Sequence, residues 1–218
     1  MRYTHVFFDL DGTLINSAPG ITHSAQYALR KMGIEPPPAE QLTCFIGPPL
    51  ADSFSKFFGF SPEQSQTAVA YYREYYRERG ILECELYNGI AELLQALRKC
   101  GVMCALATCK PHLFATQILK NLGIDPYFAV IAGPELDGTR GTKQEVIAHA
   151  AEQLALTDLS RTVMVGDRDN DILGAKHHGM DSVGALWGFG TREELTAAGA
   201  TYLSPSPTHL VQLLGSAE

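Results

Sequence analysis

The chain has 218 residues, 45% hydrophobic and 19% charged, a globular balance with enough length to bury a full core. Its 24 acidic against 17 basic residues leave a formal charge of -7, which excludes a general binder of nucleic-acid polymers or anionic membranes, because no basic surplus exists to neutralise phosphates. A small phosphorylated metabolite stays possible, since a bound cation can invert the local field.

The N-terminal run MRYTHVFFDLDG loses its apolar character at Asp9, so it reads as neither a signal peptide nor an anchor. No apolar run approaches the roughly 18 residues of a spanning helix. Cys44, Cys84, Cys100, Cys104 and Cys109 are odd in number and contain no C-x-x-C pair. They read as reduced thiols in a cytoplasmic protein, without a zinc site. Nothing in the chain points to an obligate protein partner.

Val6-Phe7-Phe8 is a short apolar run that stops at a carboxylate, as a buried strand entering a loop does. Strand-like runs recur at Val102–Ala107, Phe128–Ala132, Thr162–Val165 and Ser182–Leu186. Between them, Ile90, Leu93, Leu94 and Leu97, then Phe114, Ile118, Leu119 and Leu122, repeat with helical spacing and stop at Gly101 and Gly123. Alternating strands and helices predict an α/β fold, a Rossmann-like parallel sheet with helices on both faces. The alternation fails from about Ile15 to Gly80, where helical patterns surround Ile21–Met32 and Pro62–Arg79. The simplest account is a small helical domain, residues 16–83, inserted after the first strand of a core made of 1–15 and 84–218.

Four constellations sit at carboxyl ends of strand-like runs, where open α/β sheets bind ligands. The first is Asp9-Leu10-Asp11-Gly12-Thr13. Side chains two apart in an extended segment point the same way, and Gly12 permits a tight turn. Two such carboxylates stay ionised only beside a cation, or one keeps a proton; either suits attack on phosphorus and protonation of a leaving group. An Asp-Gly pair is also an ordinary turn signal. The second is Gly166-Asp167-Arg168-Asp169-Asn170-Asp171, whose hard oxygen donors could complete a magnesium site or simply cap a helix. Asp169 suits the capping role. The third, Thr108-Cys109-Lys110-Pro111, offers a hydroxyl and N–H groups at a helix start, a natural phosphate seat. The fourth is Lys143, opening a helix over Gln144–Leu154; a cation there opposes the macrodipole and needs an anionic partner.

In these motifs, and in the place of the helical insert, the chain resembles the haloacid dehalogenase superfamily over nearly its whole length. Within it, the chain resembles phosphoglycolate phosphatase-like proteins, and more narrowly Phe45-Ile46-Gly47-Pro48-Pro49-Leu50 and Gly166–Asn170 resemble a bacterial branch described as 5′-nucleotidase-like. The resemblance implies a Mg2+-dependent phosphatase acting on a small phosphate monoester. Asp9 would be nucleophile and metal ligand. Asp11 would be acid then base, its carbonyl on the metal. Thr108 and Lys143 would hold phosphoryl oxygens, with Leu10, Thr13 and Cys109 completing that seat. Asp167 would complete the metal site, and Asp171 would support it directly, through water or through Lys143. The insert would be a cap that supplies substrate contacts, with Thr43–Leu50, Gly47 included, as its candidate loop. Asn16, His23 and Arg73 read as surface groups before substrate contacts, Lys31 and Lys56 as surface charges, and Tyr71, Tyr72, Tyr75 and Tyr76 as helix packing. Cys109 reads as a buried inert thiol before a reactive one. A sugar-phosphate mutase of the β-phosphoglucomutase type shares this core, and a non-enzymatic phosphate-binding domain would keep the fold.

Overall fold

In the computed structural model, which describes residues 2–215, the first apolar run forms strand β1, His5–Phe8, buried at Val6, Phe7 and Phe8. Contacts divide the chain into two compact units, one joining the segment ending at Ile15 to everything from Leu86 onward, the other running Asn16–Glu85. The short strands β2, Ile15–Asn16, and β3, Glu85–Leu86, pair at the two chain crossings.

The first unit is an α/β core. Strands β4 (Met103–Ala107), β5 (Phe128–Ala132), β6 (Thr162–Gly166), β7 (Asp181–Ala185) and β8 (Tyr202–Ser204) join β1 in a six-stranded sheet of order β5-β4-β1-β6-β7-β8. Every pairing in it is parallel. The sequence places the five longer strands within a residue or two and misses β8, whose three residues are too few to show a pattern.

Register decides what happens at the carboxyl edge. Phe8 lies opposite both Leu106 of β4 and Val165 of β6, so Asp9 leaves the sheet level with Ala107 and Gly166. The N–H of Asp9 donates to the carbonyl of Val165 at 2.9 Å, extending the ladder one step into the loop. Asp9 therefore emerges at the central strand, between the ends of β4 and β6 where the strand order reverses, the usual ligand crevice of such sheets.

Helices α4 (Ile90–Lys99), α5 (His112–Asn121), α6 (Lys143–Gln153), α7 (Asp169–His177), α8 (Arg192–Ala198) and α9 (Pro207–Gly215) complete the unit. Phe7, Ala105 and Met164, register partners on neighbouring strands, share one face and pack with Val146, Ile147 and Ala150 of α6 and Ala175 of α7. Helix α6 begins one residue earlier than its apolar pattern predicts, because Thr142 accepts a hydrogen bond from the Glu145 N–H while the Glu145 carboxylate accepts from the Thr142 N–H. That capping box makes Lys143 the first helical residue. The same Thr-x-x-Glu signal at Thr191 and Glu194 opens α8, a helix the apolar periodicity does not reveal.

The second unit is helical: α1 (Ala18–Lys31), α2 (Leu50–Phe58) and α3 (Pro62–Glu78), with 3-10 turns at Ala39–Phe45 and Gly80–Leu82. Of the expected loop Thr43–Leu50, the start lies in a 3-10 turn and Leu50 already belongs to α2. The irregular stretch is 46–49, and Gly47 lies in it, exposed, at φ +103. The rings of Tyr72 and Tyr76 are buried and stacked on each other, which is packing within the unit. His23 and Tyr75 both bond Glu83, at 2.7 and 2.8 Å. Lys31 and Lys56 are exposed, Asn16 and Arg73 half-buried. Among the described residues no helix is long and apolar enough to cross a membrane.

Candidate active site

The turn after β1 brings the first motif together. The carbonyl of Leu10 accepts from the N–H groups of Thr13, Leu14 and Ile15, and Gly12 reaches φ +81 to close the loop. A Cβ on Gly12 would lie 2.1 Å from the carboxylate of Asp167. Gly12 is thus required twice, by its backbone angle and by the side chain pressed against it. Leu10 and Thr13 are fully buried, and the Thr13 hydroxyl donates to Asp167 Oδ1 at 3.2 Å.

Asp9, Asp167 and Asp171 converge. All three are buried, and one carboxylate oxygen from each lies within 4.8 Å of the others. Lys143 joins them from the start of α6. Its Nζ lies 2.8 Å from Asp9 Oδ1, 2.8 Å from Asp171 Oδ1 and 2.8 Å from the Ala107 carbonyl. The lysine stem packs on Gly174 of α7, where a Cβ would come within 2.7 Å of Lys143 Cγ. Here are the anionic partners that a lysine in the first turn demands.

Burial of three carboxylates around one ammonium has an electrostatic cost. Desolvation holds Asp167 well above the ordinary carboxylate range, and the charges of Asp171 and Asp9 push the same way. Desolvation and Asp9 also raise Asp171, to about 6, against the pull of Lys143. Burial would lower Lys143, but Asp171 and Asp9 outweigh it and keep the ammonium charged far above neutrality. The set is short of positive charge, and its free donors are hard carboxylate oxygens, which suits a small divalent cation such as Mg2+.

Asp11 stands apart from that cluster. Its carboxylate is gripped by Lys110, with Nζ 2.8 Å from Oδ1 and 2.9 Å from Oδ2. The two aspartates of the first motif thus meet different lysines, Asp9 with Lys143 and Asp11 with Lys110. Thr108, almost fully buried, follows β4; its N–H donates to Ala132 and its Oγ1 accepts from the Lys110 N–H at 3.2 Å. Burial pushes the Cys109 thiol up to about 11 despite nearby Lys143, which leaves it without thiolate character near neutral pH. Asp169 is exposed; the carboxylate that caps α7 is Asp171, whose Oδ2 accepts from the Arg168 N–H at 3.1 Å. Of the residues read from sequence, Gly47 lies in the helical unit and the rest named here lie in the α/β core.

Three contributors escape the motif reading. Lys110 sits inside the Thr108–Pro111 segment, but a lone lysine carries no signal of its target. The loop Trp187–Gly190 follows β7. Its Phe189 N–H donates to Asp167 Oδ2 at 2.8 Å, and the Trp187 indole donates to the Thr13 carbonyl at 2.9 Å. Gly188 and Gly190 let it do so, since a Cβ at either would strike Gly12 or Asp167. Its glycine-rich position at another strand end was the available clue. Tyr87 is raised to about 12, first by burial and then by the charges of Asp167 and Asp11, so its phenol lies within their field.

Residues 6–185 match the family model for haloacid dehalogenase-like hydrolases. The chain is 41% identical over 216 residues to a 5′-nucleotidase of Pseudomonas aeruginosa, covering 99% of this chain and 97% of that protein. It is 40% identical over 203 residues to the tyrosine-protein kinase PtkA of Mycobacterium tuberculosis, covering 93% of this chain and 69% of that one. The crystal structure of a predicted phosphatase from Clostridium acetobutylicum superposes with a TM-score of 0.92 at 40% identity, covering 97% of this chain and 98% of the other. With the four motifs at the carboxyl edge of a parallel sheet, the chain belongs to the haloacid dehalogenase-like hydrolase family.

Proposed function

We propose that this hydrolase is a magnesium-dependent phosphatase that takes the phosphoryl group of a small monoester onto Asp9 and passes it to water. The observation that carries the reading is the setting of Asp9: one carboxylate oxygen on Lys143 at 2.8 Å, beside the buried carboxylates of Asp167 and Asp171. Asp9, Asp167 and the main-chain carbonyl of Asp11 would hold the cation, with Asp171 behind them directly or through water. The ion would neutralise phosphoryl charge as it develops.

The chain's own groups then divide the work. Lys143 restrains one oxygen of Asp9, and the other attacks phosphorus. Thr108 Oγ1, the amides after β4 and the turn amides of the first motif hold the phosphoryl oxygens, and Lys143 offsets their charge. Asp11 gives a proton to the departing oxygen, then takes one from the water that attacks the aspartyl phosphate. The motif resemblance and the similarity to a 5′-nucleotidase favour phosphoglycolate-like compounds or nucleoside 5′-monophosphates as substrates. A cytoplasmic setting suits them.

Similarity to a protein named a tyrosine kinase favours one second reading, in which a phenol replaces water as phosphoryl acceptor. A phosphate-release screen over monoesters, with magnesium or excess chelator and with Asp9→Asn as control, tests both. Hydrolysis in magnesium, lost in chelator and in Asp9→Asn, is the expected result. Phosphate release that survives Asp9→Asn would defeat the nucleophile, and release only when a phenolic acceptor is present would favour transfer.

A further inference from the structure

Lys110 is held as a functional group is held. Lysine ammonium groups normally reach water, yet this side chain is 6% exposed and that of its partner Asp11 is 15%. Its backbone is pinned from both sides: the N–H of Lys110 donates to Thr108 Oγ1, and the His112 N–H donates to the Pro134 carbonyl. A Cβ at Gly133 would come within 2.5 Å of the Lys110 carbonyl, so the loop lies directly against the segment after β5. The chain has built a rigid arm whose tip meets both oxygens of one carboxylate.

We propose that Lys110 is a positioning residue for Asp11, and this rests on the reading of Asp11 as proton donor to the leaving group. A single hydrogen bond leaves a carboxyl free to turn, whereas a two-point grip sets both its direction and its plane. Asp9 forms its bond to phosphorus as the bond from phosphorus to the ester oxygen breaks. That oxygen leaves with the proton carried by Asp11. Lys110 keeps hold of the carboxyl through the transfer, so the proton is aimed at the departing oxygen. Misplacing such a group by about 1 Å costs on the order of 100-fold in rate.

The test compares an alkyl phosphate, whose alkoxide needs a proton to leave, with p-nitrophenyl phosphate, whose phenolate does not. The quantity read is kcat/KM, which ends at cleavage of the ester bond. Lys110→Met is expected to lose about 100-fold on the alkyl phosphate and less than about threefold on the aryl one. Lys110→Arg should recover most of the alkyl activity. In an Asp11→Asn background Lys110→Met should add nothing, because both act through one carboxyl. Equal losses on the two substrates, or losses that multiply with Asp11→Asn, would overturn the proposal and put Lys110 on the phosphoryl group or the fold. If Lys110→Met does not fold, Lys110→Gln carries the same comparison. A wild-type protein inactive on both esters removes the phosphatase reading itself, a distinct failure that takes this proposal with it.

Discussion

Lys143 bridges Asp9 and Asp171, 2.8 Å from a carboxylate oxygen of each, and so ties the end of β1 to the first turn of α7. The bridge is interior and opens outward only at Asp9: the lysine side chain is 2% exposed, that of Asp171 1% and that of Asp9 11%. A buried pair adds little net stability, but breaking one by removing a partner is expensive.

Lys143→Met keeps the stem against Gly174 and removes only the charge. Chemical denaturation near neutral pH should show a loss of about 3 kcal/mol, with turnover abolished. A variant as stable as the parent would mean that the carboxylates are not dependent on this ammonium.

The crowded carboxylates make metal-free stability fall as pH rises. A carboxyl whose pKa is higher in the folded chain binds more proton when folded, so folding is favoured at low pH and this advantage disappears upward through the window. For Asp171 the window runs from about 4 to about 6, and Asp167 acts in the same direction. Without magnesium, Asp167→Asn should therefore melt higher than wild type at pH 7.5 and lose that advantage near pH 5. Magnesium should raise the wild-type Tm by several degrees at pH 7.5, less at pH 5, and leave the variant unmoved. Identical melting curves with and without magnesium would count against a cation among these aspartates.

Gly12→Ala and Gly101→Ala form a matched pair. Both glycines have positive φ, at +81 and +70, but a Cβ at Gly101 meets nothing within 4 Å while one at Gly12 strikes Asp167. Each change should cost about 1–2 kcal/mol of backbone strain. Only Gly12→Ala should also cut kcat/KM, by at least about 100-fold, as Asp167 is displaced. Comparable activity in the two variants would remove the case for close approach at Gly12.

Trp187→Phe tests the loop after β7. It deletes the indole donor to the Thr13 carbonyl and keeps most of the ring area. Thermal unfolding should register about 1 kcal/mol, and kcat/KM should drop severalfold as the Phe189 N–H shifts from Asp167. An unchanged kcat/KM would make the loop a cover and not a support.

The fold was largely legible because its signals are local. An apolar run cut off by Asp9, strand-like runs spaced by helical patterns, and a long stretch without strands each lie within a few residues of one another. They suffice to separate a parallel α/β core from a helical insert. The short strand β8 was hidden for the opposite reason, being too brief to show a period. Helix α2 carries Leu50, Phe54, Phe57 and Phe58 at helical spacing, but it is only nine residues long and directly follows the turn signal Gly47-Pro48-Pro49. Lys143 was legible because a cation in a helix's first turn contradicts the helix dipole and so asks for partners.

By itself the sequence determined that carboxylates and a hydroxyl stand at the carboxyl ends of strands, since strand ends are marked by where apolar runs stop, and that a lysine opens the helix following β5. Which lysine serves which aspartate was decided only by the tertiary structure. That pairing depends on the register of β1 between β4 and β6, on Gly174 making room for the stem of Lys143, and on Gly133 letting the Lys110 loop lie flat. These are contacts between segments far apart in the chain, and no local pattern records them.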